Sequence, residues 1–228
     1  MHATDYAAPR ISPKIGATSG GTSPIATFTV PLSGEASSCS VDQTTGNLAA
    51  TAFSVGSDGP LVLVYQKGEY QYPQSYEDAS IFSFFSCSYD NNGNLYADGN
   101  STGENYLLTE LPHGGSALQS LSLDPSDDLT QAGPIGWDGK FLALGDSGTD
   151  VIYRVAISPS GTAYIVGSTT LNGSLPVSQF WIQGKRIIGP DFSENLTFLW
   201  HYPAGGSPAK YISGGYGPYG ATVSLAAK

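Results

Sequence analysis

The chain has 228 residues, of which 29 are Gly, 15 Pro and 14 Tyr, and only 12% are charged, a balance that suits turns and half-buried strands rather than helices. Acids outnumber bases 19 to nine, for a net charge of −10 without runs of either sign, so the clustered Lys and Arg that a nucleic acid partner needs are missing. No apolar run approaches about 18 residues, which excludes a transmembrane helix, and Met1-His-Ala-Thr-Asp-Tyr6 lacks the regions of a secretory leader.

Taken in order, residues 1–24 read as a tail or weak edge strands around 8–11 and 14–17, and residues 25–228 as a single domain. Ile25-Ala-Thr-Phe-Thr-Val30 is a good strand that feeds Cys39-Ser-Val-Asp-Gln-Thr-Thr-Gly-Asn-Leu-Ala-Ala50. The same outer strand, loop and inner strand return as Gly68–Pro73 leading to Phe84–Tyr89. They return again as Leu107–Pro112 leading through Ser120–Leu123 to Gly136-Trp137, and as Ala163–Gly167 leading to Gln179–Ile182. The last passage is Ala209–Ser213 leading to Ala221–Leu225. Asp42, Asp90 and Asp138 are matched positions, separated by 90 − 42 = 138 − 90 = 48 residues. A period of that size, built on Asp-x-x-Gly-Asn turn chemistry between short strands, indicates propeller blades. Inner strands near 39, 87, 135, 179 and 221 predict an all-β chain, a β-propeller of five blades of about four strands. The ring is predicted to close by pairing the N-terminal strands with the C-terminal one, which hides the sheet edges.

The residues offer few candidates for chemistry. Asp42, Asp90 and Asp138 read as caps of their own turns before they read as a carboxylate ring. Cys39 and Cys87 occupy the same place in successive repeats, and read either as a disulfide or as two buried thiols. His2, His113 and His201 lack metal-ligand spacing, Asp124-Pro-Ser-Asp-Asp128 lacks the spacing of a calcium loop, and no Gly-x-Ser-x-Gly elbow occurs. No metal and no cofactor is expected. Aromatic side chains are the surplus: most suit packing between blades, while Tyr70, Tyr72, Tyr76, Tyr216 and Tyr219 lie in loops and are the candidate ligand-binding residues.

Val41-Asp-Gln-Thr-Thr-Gly-Asn-Leu48 and Tyr89-Asp-Asn-Asn-Gly-Asn-Leu-Tyr-Ala-Asp98 resemble the repeat of NHL-type propellers. Trp200-His-Tyr-Pro-Ala-Gly-Gly-Ser-Pro208 is similar to the bacterial secreted branch of such repeats. The resemblance implies the fold more than an activity. Related six-bladed calcium-dependent lactonases and gluconolactonases hold their metal with Glu and Asn or Asp from inner strands, where this chain offers Cys, Ser, Gln, Trp and Thr. The expectation is an extracellular or periplasmic, non-catalytic module that binds a carbohydrate or a protein, or assembles head to tail with itself through the N-terminal segment. The alternative is a lactonase-like hydrolase or lyase with its site at the channel mouth.

Overall fold

The computed structural model describes residues 35–53, 59–69, 71–124, 129–173, 178–213, 217–218 and 220. The first blade is a four-stranded antiparallel meander of β1 (Glu35–Val41), β2 (Leu48–Phe53), β3 (Leu61–Tyr65) and β4 (Gln74–Tyr76). The second consists of β5 (Ser83–Tyr89), β6 (Leu95–Asn100), β7 (Tyr106–Leu111) and β8 (Gln119–Asp124). The third is β9 (Ile135–Trp137), β10 (Leu142–Gly145), β11 (Val151–Ile157) and β12 (Thr162–Thr170), and the fourth β13 (Trp181–Gln183), β14 (Arg186–Asp191), β15 (Leu196–His201) and β16 (Lys210–Ser213). Inner strands β1, β5, β9 and β13 pack in sequence, and the outermost strands β8 and β12 pair in parallel, joining the second and third blades at their rims. Four of the five predicted inner strands are thus present as blades. Residues 8–30 and 221–225, on which the predicted fifth blade rests, lie outside the described residues.

The turn between the first two strands explains why the Asp recurs. Asp42 Oδ1 accepts the backbone N–H of Thr44, Asp90 Oδ1 those of Asn92 and Asn94, and Asp138 Oδ1 those of Lys140 and Phe141. Gly93 closes its turn at φ 82°, a left-handed conformation that side chains other than glycine avoid. The Asn that follows reaches sideways: Asn47 Oδ1 accepts the Lys67 N–H at 3.0 Å, and Asn94 Oδ1 accepts the His113 N–H at 2.9 Å. Each of these two Asp…Gly-Asn turns therefore also anchors the connection between its blade's third and fourth strands. Because Asp90 satisfies three donors, counting the Asn94 amide, Asp90→Ala is expected to destabilise by about 1–3 kcal/mol in urea titrations. A loss indistinguishable from zero would mean that water replaces the cap at no cost.

Apolar clusters lie between the blades. Ala49, Val62 and Val64 of the first meet Phe84, Cys87 and Leu95 of the second; Tyr96 and Leu108 of the second meet Leu142 and Val155 of the third; Ile152 and Leu171 of the third meet Ile187 and Trp200 of the fourth. A fourth cluster, with Leu48, Leu63 and Tyr65, belongs to the first blade alone. Strand alternation puts it on the face turned away from the second blade. Hydroxyls stitch the inner strands: Ser38 Oγ lies 3.0 Å from Ser86 Oγ, which accepts the Ile135 N–H at 3.1 Å, and Ser40 Oγ accepts the Tyr89 N–H.

Cys39 and Cys87, read from the sequence either as a disulfide or as two buried thiols, are free thiols here, Cys39 exposed and Cys87 buried. Cys39 pairs in register with Ala50 of the isolated first-blade cluster, whereas Cys87 pairs with Ala97 of the cluster between blades one and two. Equivalent positions turn the same way around the ring, so Cys87 faces toward the first blade while Cys39 lies on the face of β1 turned away from the second. Burial pushes the Cys87 thiol well above its ordinary pKa, which keeps it protonated. One expectation is corrected: Gly68–Pro73 is predicted from the sequence as an outer strand. A turn with Gly68 at φ 84° and a Glu69 N–H bonded to Gln66 O occupies its start, and the strand is Gln74–Tyr76, beyond the proline.

Candidate functional site

In an antiparallel meander the first and third turns lie at one end and the second at the other. The β1–β2 turn and β3–β4 connection of the first blade therefore share an end with the β5–β6 turn and β7–β8 connection of the second. Between them opens a groove of about 820 Å³. Its floor includes Val64, Leu95 and Leu111, and its rim includes Asn47, Gln74, Tyr76 and His113. The two blades interlock here: a Cβ on Gly93 would stand 3.0 Å from Thr44 Oγ1 and 3.1 Å from His113 Nδ1. The site thus depends on the Asp42–Asn47 and Asp90–Asn94 turns holding their loops in place.

The groups in the groove divide into those already used and those left over. Asp42 is saturated, accepting the Thr44 N–H and the hydroxyls of Thr44 and Thr45. Partial burial raises its carboxyl, but the bonds from Thr45 and Thr44 and the nearby His113 outweigh that and hold it below the usual range. His113 Nδ1 donates to the Asn92 carbonyl at 2.8 Å, so in the neutral ring Nε2 is left as an acceptor. Tyr76 donates its hydroxyl to Gln74 Oε1 at 3.0 Å, which leaves the Gln74 amide N–H groups. The Asn47 amide N–H groups are likewise unused, since its oxygen takes Lys67.

Tyr89 stands apart. It is nine-tenths buried, at 9% exposed, and its hydroxyl makes no hydrogen bond among the described residues. Burial first, then Cys87, Asp42 and Tyr76 nearby, push that hydroxyl well above its ordinary pKa, so it remains a donor. Tyr89 lines the groove, and the buried side-chain polar atoms without a partner among the described residues are instead the Tyr106 hydroxyl and the Trp137 indole N–H.

Of the five predicted ligand-binding tyrosines, Tyr76 lines this groove. Tyr72 is 80% exposed and does not line it, while Tyr70, Tyr216 and Tyr219 lie outside the described residues. Tyr89 and His113 were not among the five. The sequence signal for Tyr89 is an aromatic residue immediately before the turn Asp, a position held by Val41 in the first blade and Trp137 in the third. Among the described residues no group of three or more His, Cys, Asp or Glu stands together as metal ligands, and no helix is long and apolar enough to cross a membrane.

No family model matches the chain, and no curated protein matches it in sequence. Solved structures do match. A chain from the nidogen–laminin complex superposes with a TM-score of 0.64 at 13% identity, over 85% of this chain and 70% of that one. A Bacteroides uniformis protein named for 6-phosphogluconolactonase activity superposes with a TM-score of 0.54 at 12% identity, over 82% of this chain and 58% of that one. At such identities the likeness concerns the fold alone: the chain is an all-β protein of β-propeller architecture, built from four-stranded meanders around an axis.

Proposed function

We propose that this propeller is a non-catalytic binding module that takes a carbohydrate in the groove between its first and second blades. An open groove of about 820 Å³, lined by Tyr76 and the largely buried Tyr89 together with Asn47, Gln74 and His113, is the observation that carries this reading. The ring of Tyr76 and the Pro73 and Pro112 side chains offer flat apolar surface to the C–H face of a sugar. The hydroxyl of Tyr89, the amides of Asn47 and Gln74, and His113 Nε2 offer hydrogen bonds at its edges. A groove open to solvent, with mixed polar and apolar walls, suits an extended polyol better than a small apolar molecule.

The same reading takes the ring as five-bladed, closed by strands from residues 8–30 and 221–225, and the protein as exported. The apolar outer face of the first blade, with Leu63 and Tyr65, supports closure. So does the far face of the fourth, where Trp181 and Ile188 alternate with the inward Ile187.

Glycan-array screening followed by titration calorimetry tests the function. Tyr89→Phe is expected to weaken the best oligosaccharide up to about tenfold, the equivalent of one hydrogen bond, with melting temperature unchanged. Equal binding by Tyr89→Phe, or no oligosaccharide bound at all, would overturn the reading. A second reading is hydrolysis in the same groove, with His113 Nε2 as a base set by its bond to Asn92; it predicts product accumulating in the same mixtures, abolished by His113→Ala.

A further inference from the structure

The meander sorts charge along the propeller axis in a way the sequence does not display. Among the described residues there are six Lys and Arg, and all lie toward the end that carries the groove. Lys67 is in the β3–β4 connection, Lys140 in the β9–β10 turn and Lys185 in the β13–β14 turn; Arg186 and Lys210 are the first residues of β14 and β16. Arg154, within β11, reaches the β9–β10 turn to pair with Asp138 at 3.1 Å. His113 and His201 are at the same end. The opposite end carries Glu77, Glu104, Asp124, Asp150 and Glu194, without any described Lys or Arg.

The groove end has five acids too, whose hydrogen bonds hold them in place without neutralising them, so that end is close to balanced while the other is acidic. Asp42, Asp90 and Asp138 accept turn hydrogen bonds, and Glu110 takes the Tyr96 hydroxyl; Glu69 is exposed. Lys67, Lys140, Lys185, Arg186 and Lys210 are all exposed. Lys67 is also adjacent to the groove, because its Cδ lies 2.9 Å from where a Cβ on Gly46 would stand, between groove residues Thr45 and Asn47.

We infer that the carbohydrate taken by this groove is anionic, a uronate-bearing chain that lies across the end of the propeller holding all the described Lys and Arg. The inference rests on the binding reading given above and names the ligand class for the same site. Two observations converge on it. The groove's unused groups are mainly donors, namely the Tyr89 hydroxyl and the Asn47 and Gln74 amides, which match carboxylate and hydroxyl oxygens. The sorting of charge repels an anion far more at the acidic end than at the groove end, where exposed Lys and Arg offset the acids, although the net charge is −10.

The test uses the full chain with hexagalacturonate and its carboxyl-reduced, neutral counterpart as probes in titration calorimetry. Hexagalacturonate is expected to bind at least about tenfold tighter at low salt, a gap that narrows as added salt shortens the screening length below about 10 Å. Lys67→Gln with Lys185→Gln and Arg186→Gln is expected to close most of the gap, at about two- to fivefold per cation. Glu104→Gln with Glu194→Gln, at the far end, is expected to leave it unchanged. Tyr89→Phe is expected to weaken both probes alike. Equal or tighter binding of the neutral probe, or a gap that survives the loss of the three cations, would overturn the anionic inference while leaving the binding reading intact. Failure of both probes, together with an empty glycan array, would remove both.

Discussion

Trp200→Ala is expected to destabilise the fold by about 3–5 kcal/mol, the range for deleting a fully buried large aromatic side chain. Trp200 is 0% exposed and fills the interface between the third and fourth blades. It packs with Ala143, Ile152 and Leu171 of the third blade, has its ring 5.3 Å from that of Phe198, and donates its indole N–H to the Asn172 carbonyl at 3.4 Å. Removing it leaves a cavity between two sheets whose backbones are fixed by their own ladders, so little collapse can offset the loss. For a chain of this size the melting temperature should fall by about 10 °C. Trp200→Phe, which keeps most of the volume, is expected to lose about half as much. A loss below about 1 kcal/mol for the alanine variant, in calorimetry or urea titration, would show that the fourth blade does not fold cooperatively with the third.

Stability is expected to fall as pH rises from about 4 to about 8, and Asp98 is the reason. Its side chain is 0% exposed in β6, accepting the N–H groups of Ser86 at 2.9 Å and Gly133 at 3.0 Å. Burial raises its carboxyl to about 8 against the pull of those backbone donors, where an unfolded chain would titrate near 3.8. Between those values the folded protein retains a proton that the unfolded chain has released, so ionisation favours unfolding. The contribution is fully present below the unfolded value, diminishes by about 1 kcal/mol per pH unit across the window, and is constant above the folded value. Asp42, Asp78 and Asp138 have lowered carboxyl values and act with the opposite sign, but below the ordinary carboxylate range. Urea titrations at pH 5.5, 6.5 and 7.5 separate the two: the midpoint should fall across this series, and Asp98→Asn should flatten it. An unchanged slope in that variant would assign the pH dependence elsewhere.

Asp98 also shows how far the repeat could be read. Ser38 faces Thr51 in the first blade, and Ser86 faces Asp98 in the second, at the same register position. The repeat predicted that these strands correspond, but not that one side chain is a hydroxyl and the other a buried carboxyl tied to Gly133 of the loop entering the third blade. The backbone there is tight as well: a Cβ on Gly133 would stand 2.1 Å from Gly145 O. Such contacts join segments far apart in sequence, where no local pattern records them. The same holds for the groove. Its tyrosines were legible as a surplus, yet which ones line a wall depends on where β4 begins, and Pro73 moved that start beyond the predicted strand.

What the amino-acid sequence determined is therefore the local grammar. An Asp at the end of the inner strand closes a turn because its carboxylate satisfies N–H groups two to four residues on and a Gly accepts positive φ, and this Asp recurs every 48 residues without reference to the rest of the chain. Tertiary structure decided what those turns bring together. A meander reverses direction at every strand, so alternate connections gather at one end, and acids and bases interleaved along the chain separate toward opposite ends of the axis. Ring geometry turns equivalent side chains the same way, which puts Cys39 and Cys87 on corresponding faces of their own strands, and sets Tyr89 of one blade beside Asp42 of the blade before it. Both effects arise from rotation about an axis that no stretch of sequence contains.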